Sequence, residues 1–342
     1  MKRIGTCSVM LLVFAMAAGT ARAQQAGSAL IVTASNQTTN QLLVFDTGGT
    51  LVQTIPTGGQ GGVGGNAGGV AVLGRTVAVV NWGSSSVSIF NRQGDRFDLA
   101  EVLTTSSQPV SVAFGKDHLY ILGDTTVESH RLGGDGVDLA ADGIVGLLRA
   151  DGSAAQVGVA GDELVIAEKS NAVETVALRG GVVSGSARAV ALPPGSNTPF
   201  GLVTRGANAY VTIAHSDEVS LIKNDTVIAI AATGTVGGGG QHSPCWLALL
   251  GPYLYSSNSP SHSLSRLIAS GSNVTVDAPV AATVPGAPTD IAAGKKRVAV
   301  VDGSGGVSRV AQFTVDDNGD LTQASQTPVG APINGIGIVE KE

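Results

Sequence analysis

The amino-acid sequence repeats with a period of about 40 residues, and this repeat restricts the fold more than any other feature. Each unit opens with a short apolar segment, as in "QPVSVAF", "TPFGLVT" and "APTDIAA". A glycine-centred turn follows, and then a second apolar segment such as "HLYIL" or "RVAVV". A small polar loop leads to a third segment, and a Gly/Asn/Asp turn leads to a fourth. Four short antiparallel strands at this spacing predict a blade of a β-propeller.

The two ends of the chain indicate how the propeller closes. Residues 28–57 supply only three strands, "ALIVTAS", "QLLVFD" and "LVQTI". The last apolar segment, "APINGIGIV" from Ala331, matches the first strand of the other units. We therefore expect it to complete the first blade, which gives an all-β fold of seven four-stranded antiparallel blades with no open edge at the joint. A β-helix or a β-sandwich is the alternative, although the repeat is too long for most β-helices and too regular for a sandwich.

The first 23 residues have the features of a cleavable signal peptide of the bacterial type. Lys2 and Arg3 precede an apolar run over residues 9–18, and residues 21–23 have the A-x-A form of a cleavage site. This run is too short to span a bilayer, and no other segment of the sequence is long and apolar enough to do so. We therefore expect a periplasmic or secreted protein in which residues 24–342 form a single propeller domain.

The charge and the cysteine content restrict the partners. Removal of residues 1–23 would leave 17 basic and 26 acidic residues, a net charge of −9, and no basic cluster for nucleic acid or an anionic membrane. Cys245 would be the one remaining cysteine, so an internal disulfide is not expected. We expect a monomer that binds a small molecule or another exported protein.

Several stretches resemble a known family. "VAVVNWGSSSVSIFNRQGDRFDLAEVL" from Val77, preceded by "GGQGGVGGNAGG", is similar to the lactonase-like seven-bladed propellers with YVTN-type repeats, as are "QPVSVAFGKDHLYIL" and "SPCWLALLGPYLYSSNS". That family includes bacterial 6-phosphogluconolactonase and fungal carboxymuconate-cyclising enzymes. The resemblance covers nearly all of residues 24–342 and implies hydrolysis of a small cyclic ester. The sequence lacks the family's His-Pro-His-type segment and has few loop arginines, which argues against a sugar-phosphate substrate.

Most of the candidate site residues occupy loops that a propeller gathers on one face, whereas Asp290 and Asn334 lie on innermost strands, where side chains can point into the channel. Loops between second and third strands share that face with the loops between blades, and ligands commonly bind there, over the central channel. We expect Glu168 or His215 to act as a general base on water and His242 to polarise a carbonyl group. The predicted ligand-binding residues are Gln60, Asn66, Asn81, Asp124, Gln241, Asn258, Asp290, Asp302 and Asn334. Alternatively, these polar residues are present only because turns favour them.

We expect no metal and no cofactor. The five histidines lack ligand spacing, and the sequence around Asp316 and Asp320 has no glycine or glutamate at the positions that a calcium loop requires. The glycine runs "GGQGGVGGNAGG" and "GGGGQHS" are not followed by the Gly-Lys-Ser/Thr of a phosphate-binding loop.

Two functions remain open from the sequence. One is an exported hydrolase acting on a cyclic ester, and the other is a non-catalytic propeller that serves as a binding or scaffold protein. Convergence of Glu168, His215 and His242 on one cavity would favour the hydrolase.

Overall fold

The protein folds into seven antiparallel sheets arranged around a common axis, which confirms the predicted seven-bladed β-propeller. The computed structural model describes residues 29–134, 136–234, 240–330 and 332–341. The signal peptide predicted for residues 1–23 lies outside these ranges. Within them, no helix is long and apolar enough to cross a membrane.

The strands follow one another in the order that the repeat predicts, with each blade built from the axis outwards. In chain order they are β1 Leu30–Ala34, β2 Gln41–Phe45 and β3 Leu51–Pro56; β4 Val70–Leu73, β5 Thr76–Asn81, β6 Ser86–Gln93 and β7 Arg96–Thr104; β8 Pro109–Phe114, β9 His118–Gly123, β10 Thr126–Gly133, β11 Gly136–Val137 and β12 Gly143–Gly146; β13 Ala154–Ala160, β14 Glu163–Glu168, β15 Ala172–Arg179 and β16 Val182–Ala189; β17 Pro199–Arg205, β18 Asn208–Ile213, β19 Glu218–Lys223 and β20 Thr226–Ala232; β21 Pro244–Leu250, β22 Tyr253–Asn258, β23 Ser263–Ser270 and β24 Asn273–Thr283; β25 Ala287–Gly294, β26 Arg297–Ser304, β27 Val307–Val315, β28 Leu321–Val329 and β29 Asn334–Val339.

The C-terminal strand closes the ring as predicted. β29 pairs antiparallel with β1, with Val32 opposite Gly337 and Leu30 opposite Val339, so the first blade has the order β29-β1-β2-β3. β29 also packs against the neighbouring inner strands β4 and β25. The joint between the first and last parts of the chain is therefore a complete sheet.

The innermost strand of every blade runs along the central channel. β8, β13, β17, β21, β25 and β29 each have a register irregularity near their first residues, where the strand bends at the rim of the ring. Glycine permits close contact between these strands: a Cβ atom on Gly201 would lie 2.2 Å from the carbonyl oxygen of Cys245. The apolar faces of adjacent blades pack together to form the core.

The third blade departs from the repeat in its outer part. Instead of one fourth strand, the short strands β11 and β12 both pair with β10. Asp142, in the connection between them, accepts a hydrogen bond from Ser129 Oγ at 2.6 Å and lies 2.9 Å from His118 Nε2. Asp142 thus joins the irregular connection to the buried His118 and Ser129 of the regular strands.

Candidate functional site

The loops between blades and the loops between second and third strands form one face of the ring, here called the near face. On this face the glycine-rich segment 57–69, here called the strap, crosses the channel instead of leaving it open. Asn36 Nδ2 donates to the carbonyl oxygen of Val63 at 2.8 Å, and Lys169 Nζ donates to that of Gly65 at 2.7 Å. Asn36 belongs to the first blade and Lys169 to the fourth, so the strap spans the ring.

The C-terminal half of the strap seals the channel. Asn66 and Ala67 are buried. Asn66 Nδ2 donates to the carbonyl oxygen of Val110 at 2.6 Å, and the carbonyl oxygen of Asn66 accepts from Trp246 Nε1 at 3.1 Å. Asn334 Nδ2 donates to Asn66 Oδ1 at 2.8 Å. The predicted ligand-binding residues Asn66 and Asn334 therefore bind each other and close the near face.

Below the strap lies a cavity of about 450 Å³, which is the remaining part of the central channel. Its walls are mostly aliphatic side chains of the inner strands. These strands are buried where they begin and become partly exposed where they end, as Thr204 and Ala293 illustrate. The cavity is therefore closed at the near face and opens at the opposite end, here called the far face.

Asp290 is the predicted site residue that lines this cavity. Its Oδ1 accepts a hydrogen bond from the backbone N–H of Ile291 at 2.8 Å. Burial raises the pKa of the Asp290 carboxyl to about 7, although the backbone N–H groups of Ile291, Gly68 and Ile336 act in the opposite direction. Asp290 therefore changes charge near neutral pH.

Four other predicted residues lie beneath the surface, in or at the ends of second strands. Asn81, Glu168, Asn258 and Asp302 are all fully buried. Asn81 Nδ2 donates to Ser88 Oγ at 2.7 Å, and Asn81 Oδ1 accepts from the side chains of Thr57 and Asn40. These bonds join the strands and the loops of adjacent blades.

Asn258 and Asp302 make comparable contacts in their own blades. Asn258 Nδ2 donates to Ser265 Oγ at 2.8 Å, and Arg309 donates to Asp302 Oδ1 at 2.9 Å. The sequence predicts a ring of polar side chains in the loops. In the structure, the side chains of Asn258 and Asp302 instead form hydrogen bonds between strands inside their blades.

Glu168 is sealed from solvent. Ser153 Oγ donates to its Oε2 at 2.9 Å, and Oε1 is buried with no hydrogen-bond partner among the described residues. Burial raises the pKa of this carboxyl to about 8, and the nearby Glu174 and Asp151 also favour the neutral form. A general base must reach its substrate, and Glu168 has no route to one in this conformation.

The two predicted catalytic histidines are exposed on the near face. His215 lies in a short 3-10 turn, and its Nδ1 is 2.9 Å from Thr198 Oγ1. His242 Nδ1 is 2.7 Å from Asp217 Oδ2, while Asp217 Oδ1 accepts from the backbone N–H of Ser243 at 2.7 Å. The carboxylate thus orients the imidazole of His242 and leaves its Nε2 towards solvent.

The structure does not bring the three predicted catalytic residues to one point. Glu168, His215 and His242 each have a different partner, and Glu168 is buried whereas the histidines are exposed. Asp217, which the sequence analysis misses, is the residue that pairs with a candidate base. It follows a 3-10 turn with a left-handed backbone, as Ser85 does in another blade, and looks like an ordinary turn residue in the sequence.

The remaining predicted residues are spread over the near face. Gln60 is exposed on the strap, and Asp124 is partly buried at the end of the second strand of its blade. Gln241 Oε1 accepts a hydrogen bond from Ser263 Oγ. Among the residues that the structure describes, no group of three or more His, Cys, Asp or Glu side chains could hold a metal ion.

The chain is therefore a seven-bladed β-propeller whose central channel is closed at the near face and open at the far face. It is similar in structure to a Bacteroides uniformis protein provisionally assigned as a 6-phosphogluconolactonase, with a TM-score of 0.67, 17% identity and coverage of 92% of this chain and 100% of that one. A Bacteroides fragilis protein with the same provisional assignment gives a TM-score of 0.65 and 16% identity, with coverage of 92% of this chain and 98% of that one.

A Desulfotomaculum acetoxidans protein of unknown function is also similar, with a TM-score of 0.64, 11% identity and coverage of 92% and 100%. No family model and no curated protein matches the chain. The expected likeness to lactonase-like propellers is therefore confirmed at the level of the fold.

Proposed function

We propose that the protein is an exported lactonase-like propeller that hydrolyses a small cyclic ester on its near face. The observation that carries the proposal is the pairing of Asp217 with His242 at 2.7 Å. A carboxylate bonded to one ring nitrogen fixes the tautomer in which the other nitrogen is a free base. The His242 side chain is 48% exposed, so this nitrogen can reach a bound substrate.

The chemistry requires one water molecule and no further reagent. His242 Nε2 takes a proton from the water as its oxygen attacks the lactone carbonyl carbon. The tetrahedral intermediate collapses with cleavage of the ring C–O bond, and the alkoxide leaving group receives the proton from His242. The product is a hydroxy acid, and Asp217 stabilises the imidazolium that forms between the two steps.

A neighbouring hydroxyl group is placed to assist. Ser261 Oγ accepts the backbone N–H of His242 at 2.9 Å, and its own proton remains available for a substrate carbonyl oxygen. Glu168 has no part in this scheme because it is buried, and His215 has its own hydrogen bond to Thr198.

The experiment is a hydrolysis screen with purified protein on γ- and δ-lactones, followed by acid release in a pH-stat. We expect His242→Gln and Asp217→Asn to lower kcat/KM by about 100-fold or more, the usual contribution of a general base. His262→Gln is the matched control because the His262 side chain is also exposed on the near face, in the loop between β22 and β23, and takes no part in the scheme. The control should retain full activity.

Three results would contradict the proposal. Turnover that survives both His242→Gln and Asp217→Asn would refute the site. Lactone binding without turnover, measured by calorimetry on the same panel, would instead support the non-catalytic binding protein. The absence of both binding and turnover would show that lactones are not its ligands.

A further inference from the structure

The central cavity ends at a carboxyl group without a cationic partner. Asp290 lines the closed end of the cavity, and no Lys, Arg or His side chain lines the cavity anywhere in the described ranges. Its contacts are backbone N–H groups, including that of Ile291 at 2.8 Å. A buried carboxylate is costly when unpaired, so a cation brought by a ligand would be strongly favoured here.

A second polar group faces the same end of the cavity. Gln156 Oε1 accepts the backbone N–H of Leu202 at 2.6 Å, which fixes the orientation of the amide. Its Nε2 donates no hydrogen bond to any residue that the structure describes, and a Cβ atom on Gly68 would lie 3.0 Å from it. The closed end thus holds both an acceptor and a free donor.

The remaining surface of the cavity suits an apolar molecular body. Val112, Val157, Leu247 and Ile336 are among the aliphatic side chains of the wall. The volume of about 450 Å³ falls within the range of ligand pockets, roughly 300–1,000 Å³. The strap blocks the near face, so a ligand must enter from the far face.

We infer that the central cavity is a binding site for a small organic amine with an apolar body, whose ammonium group pairs with the Asp290 carboxylate. The chain carries a net charge of −6, which favours the approach of cations. The aliphatic walls would bury the body of the ligand, and the low dielectric of the cavity would strengthen the ion pair. The cavity shares no residue with the Asp217–His242 pair, so the two sites can fail separately.

The test uses cyclohexylamine and its neutral counterpart cyclohexanol, titrated against the full protein at pH 8.5 by ligand-observed NMR. We expect cyclohexylamine to bind about tenfold more tightly than cyclohexanol because only the amine forms the ion pair. Asp290→Asn should weaken amine binding about tenfold and leave cyclohexanol binding nearly unchanged. Asp317→Asn is the control, since the Asp317 side chain is 93% exposed.

A second variant and a pH series make the test independent of Asp290→Asn. Ala293→Phe fills the open end of the cavity and should weaken both probes. Amine binding should also fall about tenfold between pH 8.5 and pH 6, because the pKa of Asp290 is about 7 and no other ionisable side chain lines the cavity in the described ranges.

Several results would overturn the inference. Equal affinity for the two probes would rule out the proposed ion pair. Amine binding that is unchanged in Asp290→Asn would rule it out as well. Binding that persists in Ala293→Phe would place the ligand elsewhere. Failure of the wild-type protein to bind cyclohexylamine would refute the amine site outright.

Discussion

Replacement of Glu168 by glutamine should increase the free energy of unfolding relative to the wild-type protein, and this gain should grow as the pH rises. The pKa of this carboxyl is about 8 in the folded protein, against an ordinary value of 4.5. An acid with a raised pKa is held neutral by the fold, whereas the unfolded chain ionises freely above pH 4.5. The wild-type protein therefore loses stability as the pH rises from 4.5 to 8, and the variant does not.

The magnitude follows from the difference between the two pKa values. Each unit is worth about 1.36 kcal/mol, so the penalty in the wild-type protein is about 1 kcal/mol at pH 5, about 3 kcal/mol at pH 7 and about 5 kcal/mol at pH 9. The glutamine amide adds an offset of its own, but that offset is independent of pH. The free energy of unfolding of Glu168→Gln minus that of the wild type should thus rise by about 4 kcal/mol between pH 5 and pH 9.

The measurement is urea unfolding at one-unit pH steps, followed by the fluorescence of Trp82 and Trp246. Asp317→Asn is the control, because its side chain is 93% exposed and an ion pair as exposed as the one with Lys296 contributes little to stability. Other titrating groups occur in the wild type and the variant alike and cancel in the difference. A difference that stays within about 1 kcal/mol across this range would show that Glu168 is solvated or paired, and the reasoning would be refuted.

Three further predictions concern the frame of the propeller. Gly201→Ala should lower the free energy of unfolding by about 3 kcal/mol in thermal or urea unfolding, because the new methyl group meets the backbone of the adjacent inner strand. Gly64→Ala is the control, since Gly64 has open space around it, and it should change this free energy by no more than about 0.5 kcal/mol. Equal effects of the two substitutions would contradict the packing. Asn81→Ala should cost about 3 kcal/mol, since it leaves several buried polar groups unpaired, and a loss below about 1 kcal/mol would show that the network is dispensable. A chain that stops before β29 should aggregate on size-exclusion chromatography and be rescued by a peptide of residues 332–341, and a truncated chain that stays monomeric would contradict this.

The architecture could be predicted because each blade repeats the same local pattern. The apolar segments, the glycine turns and the unpaired segment "APINGIGIV" are all visible in the sequence, and they are sufficient for the number of blades and the closure. The interrupted fourth strand of the third blade was not predicted. It depends on the hydrogen bonds of Asp142 with Ser129 and His118, which are formed only when three separate segments meet.

The site was much harder to predict, because burial and pairing are decided between blades. A polar residue at the end of a second strand looks the same whether it ties strands together, as Asn81 does, or faces solvent. The pairing of Asp217 with His242 joins the fifth blade to the loop that leads to the sixth blade, and no local sequence pattern predicts it. The sequence predicts the strap as a between-blade loop that carries the ligand-binding residues Gln60 and Asn66, but it does not predict that this loop crosses the channel. Its path over the channel depends on partners in several other blades.

The pairing of β1 with β29 has a consequence for the order of folding. The first blade cannot be completed until the last strand arrives, because Val32 and Gly337 come from opposite ends of the described chain. Contacts between such distant segments form slowly, since the intervening chain must be ordered first. Until then, β1 presents an unpaired edge that other chains can capture. The period of greatest risk of aggregation should therefore be late in folding, when six blades are formed and the ring is still open.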